Sequence, residues 1–211
     1  LKIHAPSVSD DIIKINNYKD EAQERLIIEE LATNLIGVKI ASEKINKLKA
    51  KQMEILKKDL SSFVEKLPFK LTGAQLRTIN DISNDLSKVK PMRRLVQGDV
   101  GSGKTVVAAV SMYISTKNNS QSVLLCPTEV LAEQHYKNFT EWFENTNIKI
   151  ELLTGKMSAV IRKDIYQRLE EGKIDILIGT HAVFQDKVKM KNLGLVIVDE
   201  QQRFGVKQRF D

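Results

Sequence analysis

The chain is poor in the residues that make metal centres and disulfides: it has one cysteine, Cys126, and three histidines in 211 residues. An internal disulfide is impossible, and a metal cluster built from Cys and His is excluded. Cys126 closes the apolar run Val123-Leu124-Leu125, the setting of a buried strand residue rather than of a nucleophile or metal ligand. No run of about eighteen apolar residues is available to span a membrane. The start, Leu1-Lys2-Ile3-His4-Ala5-Pro6, lacks the charged-then-apolar form of a signal peptide. No internal repeat or low-complexity segment occurs. These absences lead to the expectation of a cytoplasmic protein with no membrane partner.

With 42% hydrophobic residues the chain can bury one full core and carry an appendage rather than a second large domain. The formal charge of +6 and pI near 9.2 suit a nucleic-acid partner. A lysine-rich solvated surface gives the same values.

The stretch that organises the chain is Leu95-Val96-Gln97 followed by Gly98-Asp99-Val100-Gly101-Ser102-Gly103-Lys104-Thr105 and the apolar helical pattern of Val106, Val107, Ala109 and Val110. Apolar strand, loop of form G-x-x-x-x-G-K-T, and helix are the context that converts a glycine turn into a phosphate cradle. The glycines let several N–H groups converge on phosphate oxygens, and the positive end of the helix points at the same place. Lys104 would reach the outer phosphates of a nucleoside triphosphate, and the Thr105 hydroxyl would bind Mg²⁺.

Before this loop, residues 1 to 18 show no sustained period and read as extended or loop. From Asp20 a helical face of Ala22, Leu26, Ile27, Leu31 and Leu35 runs to Gly37, which is expected to interrupt it. A second helical stretch, Ile45 to Leu67, ends at Pro68. From Lys39 to Lys58 there are seven lysines and two acidic residues. Such a face can track a phosphate backbone or simply face solvent. In Leu67-Pro68-Phe69-Lys70-Leu71-Thr72-Gly73-Ala74-Gln75, Thr72 and Gln75 have the spacing of a capping box. Alternatively Phe69 stacks on a purine while the Gln75 amide reads the adenine edge. Spacing does not decide between them.

After the loop, strands over Gln121–Cys126, Ile148–Leu153, Ile174–Gly179 and Leu193–Val198 alternate with helices over Val130–Phe143 and Ala159–Glu171. Continuous apolar runs such as Ile174-Asp175-Ile176-Leu177-Ile178 suit strands buried on both faces of a parallel sheet. The fold class is therefore α/β and doubly wound, a P-loop NTPase preceded by a helical extension. The polar motifs fall at strand ends, where ligands collect in such sheets. One of them, Asp199-Glu200, ends an apolar strand. Asp199 is suited to hold Mg²⁺, directly or through water, and Glu200 to orient and deprotonate an attacking water. With the phosphate loop, these acids point to ATP hydrolysis.

The motif order resembles that of superfamily 2 nucleic-acid helicases and translocases. The wording QGDVGSGKT, PTEVLAEQH, LLTG, GTHA and DEQQRFGVKQR is similar to that of the bacterial branched-DNA helicases of the RecG family, from about Pro6 to Asp211. Transcription-repair translocases typically have Glu-Glu-His after the aspartate, and Gln201 favours the RecG side. The resemblance implies a RecA-like fold, with residues 1–67 as an extended segment and helical connector and 68–211 as the ATP-binding domain. It assigns Phe69 and Gln75 to adenine recognition, Lys104 and Thr105 to phosphate and Mg²⁺, and Asp199 and Glu200 to hydrolysis. It also turns Pro127, Thr128, Thr154, Gly155, Gly179, Thr180 and His181 toward branched or single-stranded DNA, as sequence-independent backbone contacts.

Two departures accompany it. Gln202 stands where the family has His, at a position between the ATP and DNA sites. The family's next motif, its second RecA-like domain with an arginine finger, and its wedge domain are not in the chain, so they would come from elsewhere. In the family the strand after Asp-Glu lies between the phosphate-loop strand and the Asp-Glu strand. The sheet is therefore expected to be incomplete at the C-terminus, with a gap of one strand width, about 4.8 Å, beside Leu193–Val198. Two rivals stand beside the helicase reading: a non-enzymatic nucleotide- or DNA-binding remnant, and a P-loop kinase or transporter ATPase, which would need neither GTHA nor DEQQRFG.

Overall fold

The computed structural model describes residues 20–185 and 187–201 and divides the chain into two units, Leu1–Lys49 and Ala50–Asp211. The first unit contributes one long helix, α1 (Glu21–Asn46), with Glu21 and Glu24 in the first turn, where the helix dipole favours negative charge. The helix does not stop at Gly37. A glycine inside a helix costs about 1 kcal/mol relative to alanine, too little to break twenty-six residues of otherwise helical pattern. Leu26, Leu31, Leu35 and Ile36 are all exposed.

The second expected helical stretch divides. Residues 47–56 are not helical, and a short helix α2 (Lys57–Val64) follows. Met53, Phe63 and Leu67 are core residues of the second unit, so residues 50–67 pack with the nucleotide-binding part of the chain. Phe63 stacks on Tyr113 with ring centroids 4.1 Å apart. Helix α3 (Gly73–Leu86) opens on Thr72 and buries Ile79, Ile82 and Leu86. Helix α4 (Lys104–Lys117) is buried along most of its length, from Val106 to Ser115.

Four parallel strands follow: β1 (Gln121–Leu125), β2 (Ile150–Leu153), β3 (Ile176–Gly179) and β4 (Leu193–Val198), in the spatial order β2-β3-β1-β4. Helix α5 (Glu129–Trp142) joins β1 to β2, and α6 (Ala159–Glu171) joins β2 to β3. A short 3₁₀ turn, His181–Phe184, leaves β3. Leu124, Ile176, Ile178 and Leu195 point to one face, with α3, α4 and α5. Val123, Leu125 and Leu177 point to the other, with Ile165 and Leu169 of α6. The central strands are thus covered on both sides, as continuous apolar runs require.

One expected strand is missing. Leu95–Gln97 forms no ladder, and β4 pairs only with β1. A strand needs a neighbour for its N–H and C=O groups, and none of the described residues supplies one at that place. Leu95 and Val196 are exposed, whereas Leu195 is buried.

Candidate nucleotide-binding site

The phosphate loop is shaped by backbone requirements. Gly101 and Gly103 have φ of 80° and 78°, in the left-handed region that a Cβ disfavours. At Gly103 a Cβ would also collide with the amide nitrogen of Gln75, and at Gly98 it would come 2.7 Å from Ser102 Oγ. Gly103 is the N-cap of α4 and offers no side-chain cap, so the first turn keeps N–H groups for an anion. Thr105 is the second residue of that turn. The Lys104 ammonium curls into the loop and donates to the carbonyls of Gly98 at 2.7 Å and Asp99 at 2.9 Å. Val100, at the tip, is fully exposed.

The capping box at the start of α3 is present. Thr72 Oγ1 accepts from the Gln75 N–H at 3.2 Å, and Gln75 Oε1 accepts from the Thr72 N–H at 2.8 Å. The other end of the amide is also engaged, with Gln75 Nε2 donating to the carbonyl of Ser102 at 3.0 Å. Gln75 is therefore a strut between the cap and the phosphate loop. Phe69 is 41% exposed and meets Trp142 edge-on at 5.5 Å.

Asp199 continues the β1–β4 ladder, its N–H donating to the Leu125 carbonyl at 2.9 Å. Its Oδ2 lies 2.9 Å from His135 Nε2 of α5. That hydrogen bond is the main reason the carboxyl is held below the usual carboxylate range. Partial burial opposes the shift, and the Glu200 N–H and the Lys104 charge assist it. Lys104 and Asp199, ninety-five residues apart in sequence, are thus close enough in space to feel each other's charge. Glu200 has φ of 52°, rare for a residue with a side chain, and such backbone strain clusters at functional sites. Cys126 is buried, and burial first, then the Asp199 charge, pushes its thiol up to about 12, which makes it inert.

Among the described residues no three Cys, His, Asp or Glu side chains form a metal cage. Mg²⁺ does not need one, because it keeps several waters and takes one or two protein ligands plus substrate phosphates. A hydroxyl at Thr105 and a carboxylate at Asp199 fit that donor set.

The remaining strand ends separate into surface and interior. Thr128 is exposed and caps α5, accepting from the Leu131 N–H at 3.3 Å. Gly155 and His181 are exposed, and Pro127 is half-buried. Thr154 and Thr180 are 4% and 1% exposed, so their side chains point into the interior. Gly179 is buried, and a Cβ there would strike the Leu153 carbonyl. Gln202 and the segment 1–18 lie outside the described residues.

Two residues have partners that the sequence did not assign to them. Glu129 pairs with Lys156 at 2.7 Å, and the backbone N–H groups of Lys156 and Gly155 add to the pull that lowers its carboxyl. It joins the strand ends after β1 and β2. His135 lies on the buried face of α5 with Ala132 and Phe139. Its signal is a polar side chain in the apolar helical register, which ordinarily marks a satisfied core histidine.

A parallel α/β sheet with a glycine loop of this form at the N-terminus of a buried helix is the architecture of a P-loop nucleotide-binding domain. Residues 72–211 match the DEAD/DEAH box helicase family, and the chain belongs to it. Within it the chain is similar to the ATP-dependent DNA helicase RecG of Aquifex aeolicus (strain VF5), 46% identical over 195 residues that cover 92% of this chain and 25% of that protein. RecG of Haemophilus influenzae is 41% identical over 210 residues, 98% of this chain and 30% of the relative. Among solved structures, RecG bound to a three-way DNA junction superposes with a TM-score of 0.78 at 43% identity, covering 86% of this chain and 25% of that one. The chain thus spans 25–30% of the length of these relatives. No helix among the described residues is long and apolar enough to cross a membrane.

Proposed function

We propose that this chain is the ATP-binding motor segment of an ATP-dependent DNA helicase or translocase of the RecG type, acting in the cytoplasm on branched DNA in recombination and repair. The observation that carries the reading is the phosphate loop itself, with Gly101 and Gly103 in left-handed backbone at the N-terminus of α4 and the Lys104 ammonium curled into the loop. A lysine beside the N–H groups of a helix N-terminus suits a phosphate.

In this reading the α4 N-terminus and Lys104 bind the outer phosphates, with Lys104 exchanging its bonds to the Gly98 and Asp99 carbonyls for phosphate oxygens. Thr105 and Asp199 hold Mg²⁺, which when bound neutralises charge on the phosphates. Glu200 orients a water and takes its proton. Phe69 and Gln75 recognise adenine. Pro127, Thr128, Gly155 and His181 form the DNA-facing surface, shaped from beneath by Thr154, Gly179 and Thr180.

The test is equilibrium binding of a fluorescent ATP analogue to residues 1–211, with and without Mg²⁺ and beside Lys104→Ala. Binding that requires both Mg²⁺ and Lys104 is expected. Nucleotide binding indifferent to Lys104 would sink the reading. DNA binding should ignore sequence and weaken steeply with salt.

A further inference from the structure

We propose that His135 is a positioning residue for the Asp199 carboxylate, fixing by a side-chain hydrogen bond the orientation in which Asp199 holds the cation of a bound nucleotide. The inference rests on the nucleotide reading above.

Asp199 follows β4, the last strand of the sheet among the described residues, immediately before a residue in the left-handed region. Backbone pairing alone leaves its side chain free to rotate. Its side chain is only 28% exposed, while that of His135 is 10% exposed, so the bond between them is shielded from competing water. An ionised carboxylate only accepts hydrogen bonds, so Nε2 of His135 carries the proton. The opposite ring nitrogen, Nδ1, is buried and has no partner among the described residues. The ring is therefore oriented by packing on α5, near Phe139 at 6.4 Å, and by Asp199 alone. A buried histidine with one nitrogen unserved is poorly explained as a satisfied core residue. It is well explained as a donor aimed at Asp199.

His135 Nε2 donates to the carboxylate, and the Glu200 N–H also favours its ionised form. A carboxylate has about four lone-pair sites. A donor fixed on one oxygen leaves lone pairs for a cation. Partners of this kind set the orientation of a metal ligand, and their removal typically costs about tenfold to a hundredfold in metal affinity.

The experiment measures affinity of residues 1–211 for a fluorescent ATP analogue in Mg²⁺ and in EDTA. Wild type is compared with His135→Met, which fills the space without a donor, and His135→Gln, whose amide N–H can reach toward Asp199. His135→Met should lose about tenfold or more of the affinity gained from Mg²⁺ while its EDTA affinity stays at the wild-type value. His135→Gln should recover most of the loss. In an Asp199→Asn background, His135→Met should have no further effect on Mg²⁺ dependence. Unchanged Mg²⁺ dependence in His135→Met overturns the proposal. So does equal loss in Mg²⁺ and EDTA, or His135→Gln failing as badly as His135→Met. A wild type whose nucleotide binding ignores Mg²⁺ instead removes the reading on which the proposal stands.

Discussion

The phosphate loop and the Asp199 strand end are held by opposite means. The loop is made by backbone. Two glycines take left-handed φ, and carbonyls of residues five and six positions earlier hold Lys104. Its tip is solvent-exposed and its chemistry is local in sequence. The strand end is made by side chains from elsewhere, with His135 sixty-four residues from Asp199 supplying its main contact. The loop should consequently fail through substitutions that change φ or remove Lys104, and the strand end through substitutions at a distance. Gln75 bridges the two modes, a side chain from outside the loop that props its backbone.

The largest expected effect is in the loop. Hydrogen bonds to charged groups are worth about 1.5–3 kcal/mol each. Lys104→Ala should therefore weaken Mg-ATP binding by about a hundredfold, read by equilibrium titration. A loss under about tenfold would mean that the helix N-terminus, not the lysine, dominates phosphate binding. Next come the glycines. Alanine in left-handed backbone costs about 1–2 kcal/mol, which is all that Gly101→Ala should show in urea denaturation, because nothing lies within 4 Å of its Cβ position. Gly103→Ala carries the same strain plus the collision with Gln75, so its destabilisation should be larger. Equal losses would show that the Gln75 strut gives way without cost.

That contrast also explains what could be read from the sequence. Gly98, Gly101, Gly103 and Lys104 were legible because tight turns demand glycine and phosphate demands a cation, whatever surrounds them. The parallel sheet was legible because buried strands need apolar runs. His135 was not, since a histidine in a buried helical register has the same spacing whether it packs or points at a carboxylate. Burial of Thr154 and Thr180 was equally hidden, because a threonine at a strand end can face either way. The strand at Leu95–Gln97 was misread because apolar content expresses a preference, whereas a strand exists only where a neighbour pairs with it. Gly37 was misread because one glycine is weak beside a long helical pattern.

At the strand end the expected effects are smaller and depend on pH. The folded-state value of Asp199 is depressed, chiefly by His135. Its contribution to stability is therefore fully present above the unfolded value, about 3.9, and is lost as pH falls through the lower folded value. Asp199→Asn removes the titration. The stability advantage of wild type over this variant, taken from urea midpoints across acidic pH, should shrink as pH drops below the ordinary carboxylate range. A difference that stays constant with pH would mean that the His135 bond does not favour the ionised form.

The smallest effect concerns base preference, where Gln75 has to serve two purposes. Its oxygen is committed to the Thr72 N–H and its nitrogen to the Ser102 carbonyl. To read adenine it must share or exchange these bonds, each worth about 1 kcal/mol net. The surplus left for discriminating ATP from GTP is then on the order of a few-fold. Thr72→Ala removes the hydroxyl half of the capping box and should cost about 1 kcal/mol of stability while leaving the ATP-to-GTP ratio unchanged. Gln75→Ala should cost a similar amount and also narrow the ratio toward one, measured by competition against a fluorescent analogue. Identical affinities for ATP and GTP in the wild-type chain would remove Gln75 from base recognition and leave it as the strut that joins the α3 cap to the phosphate loop.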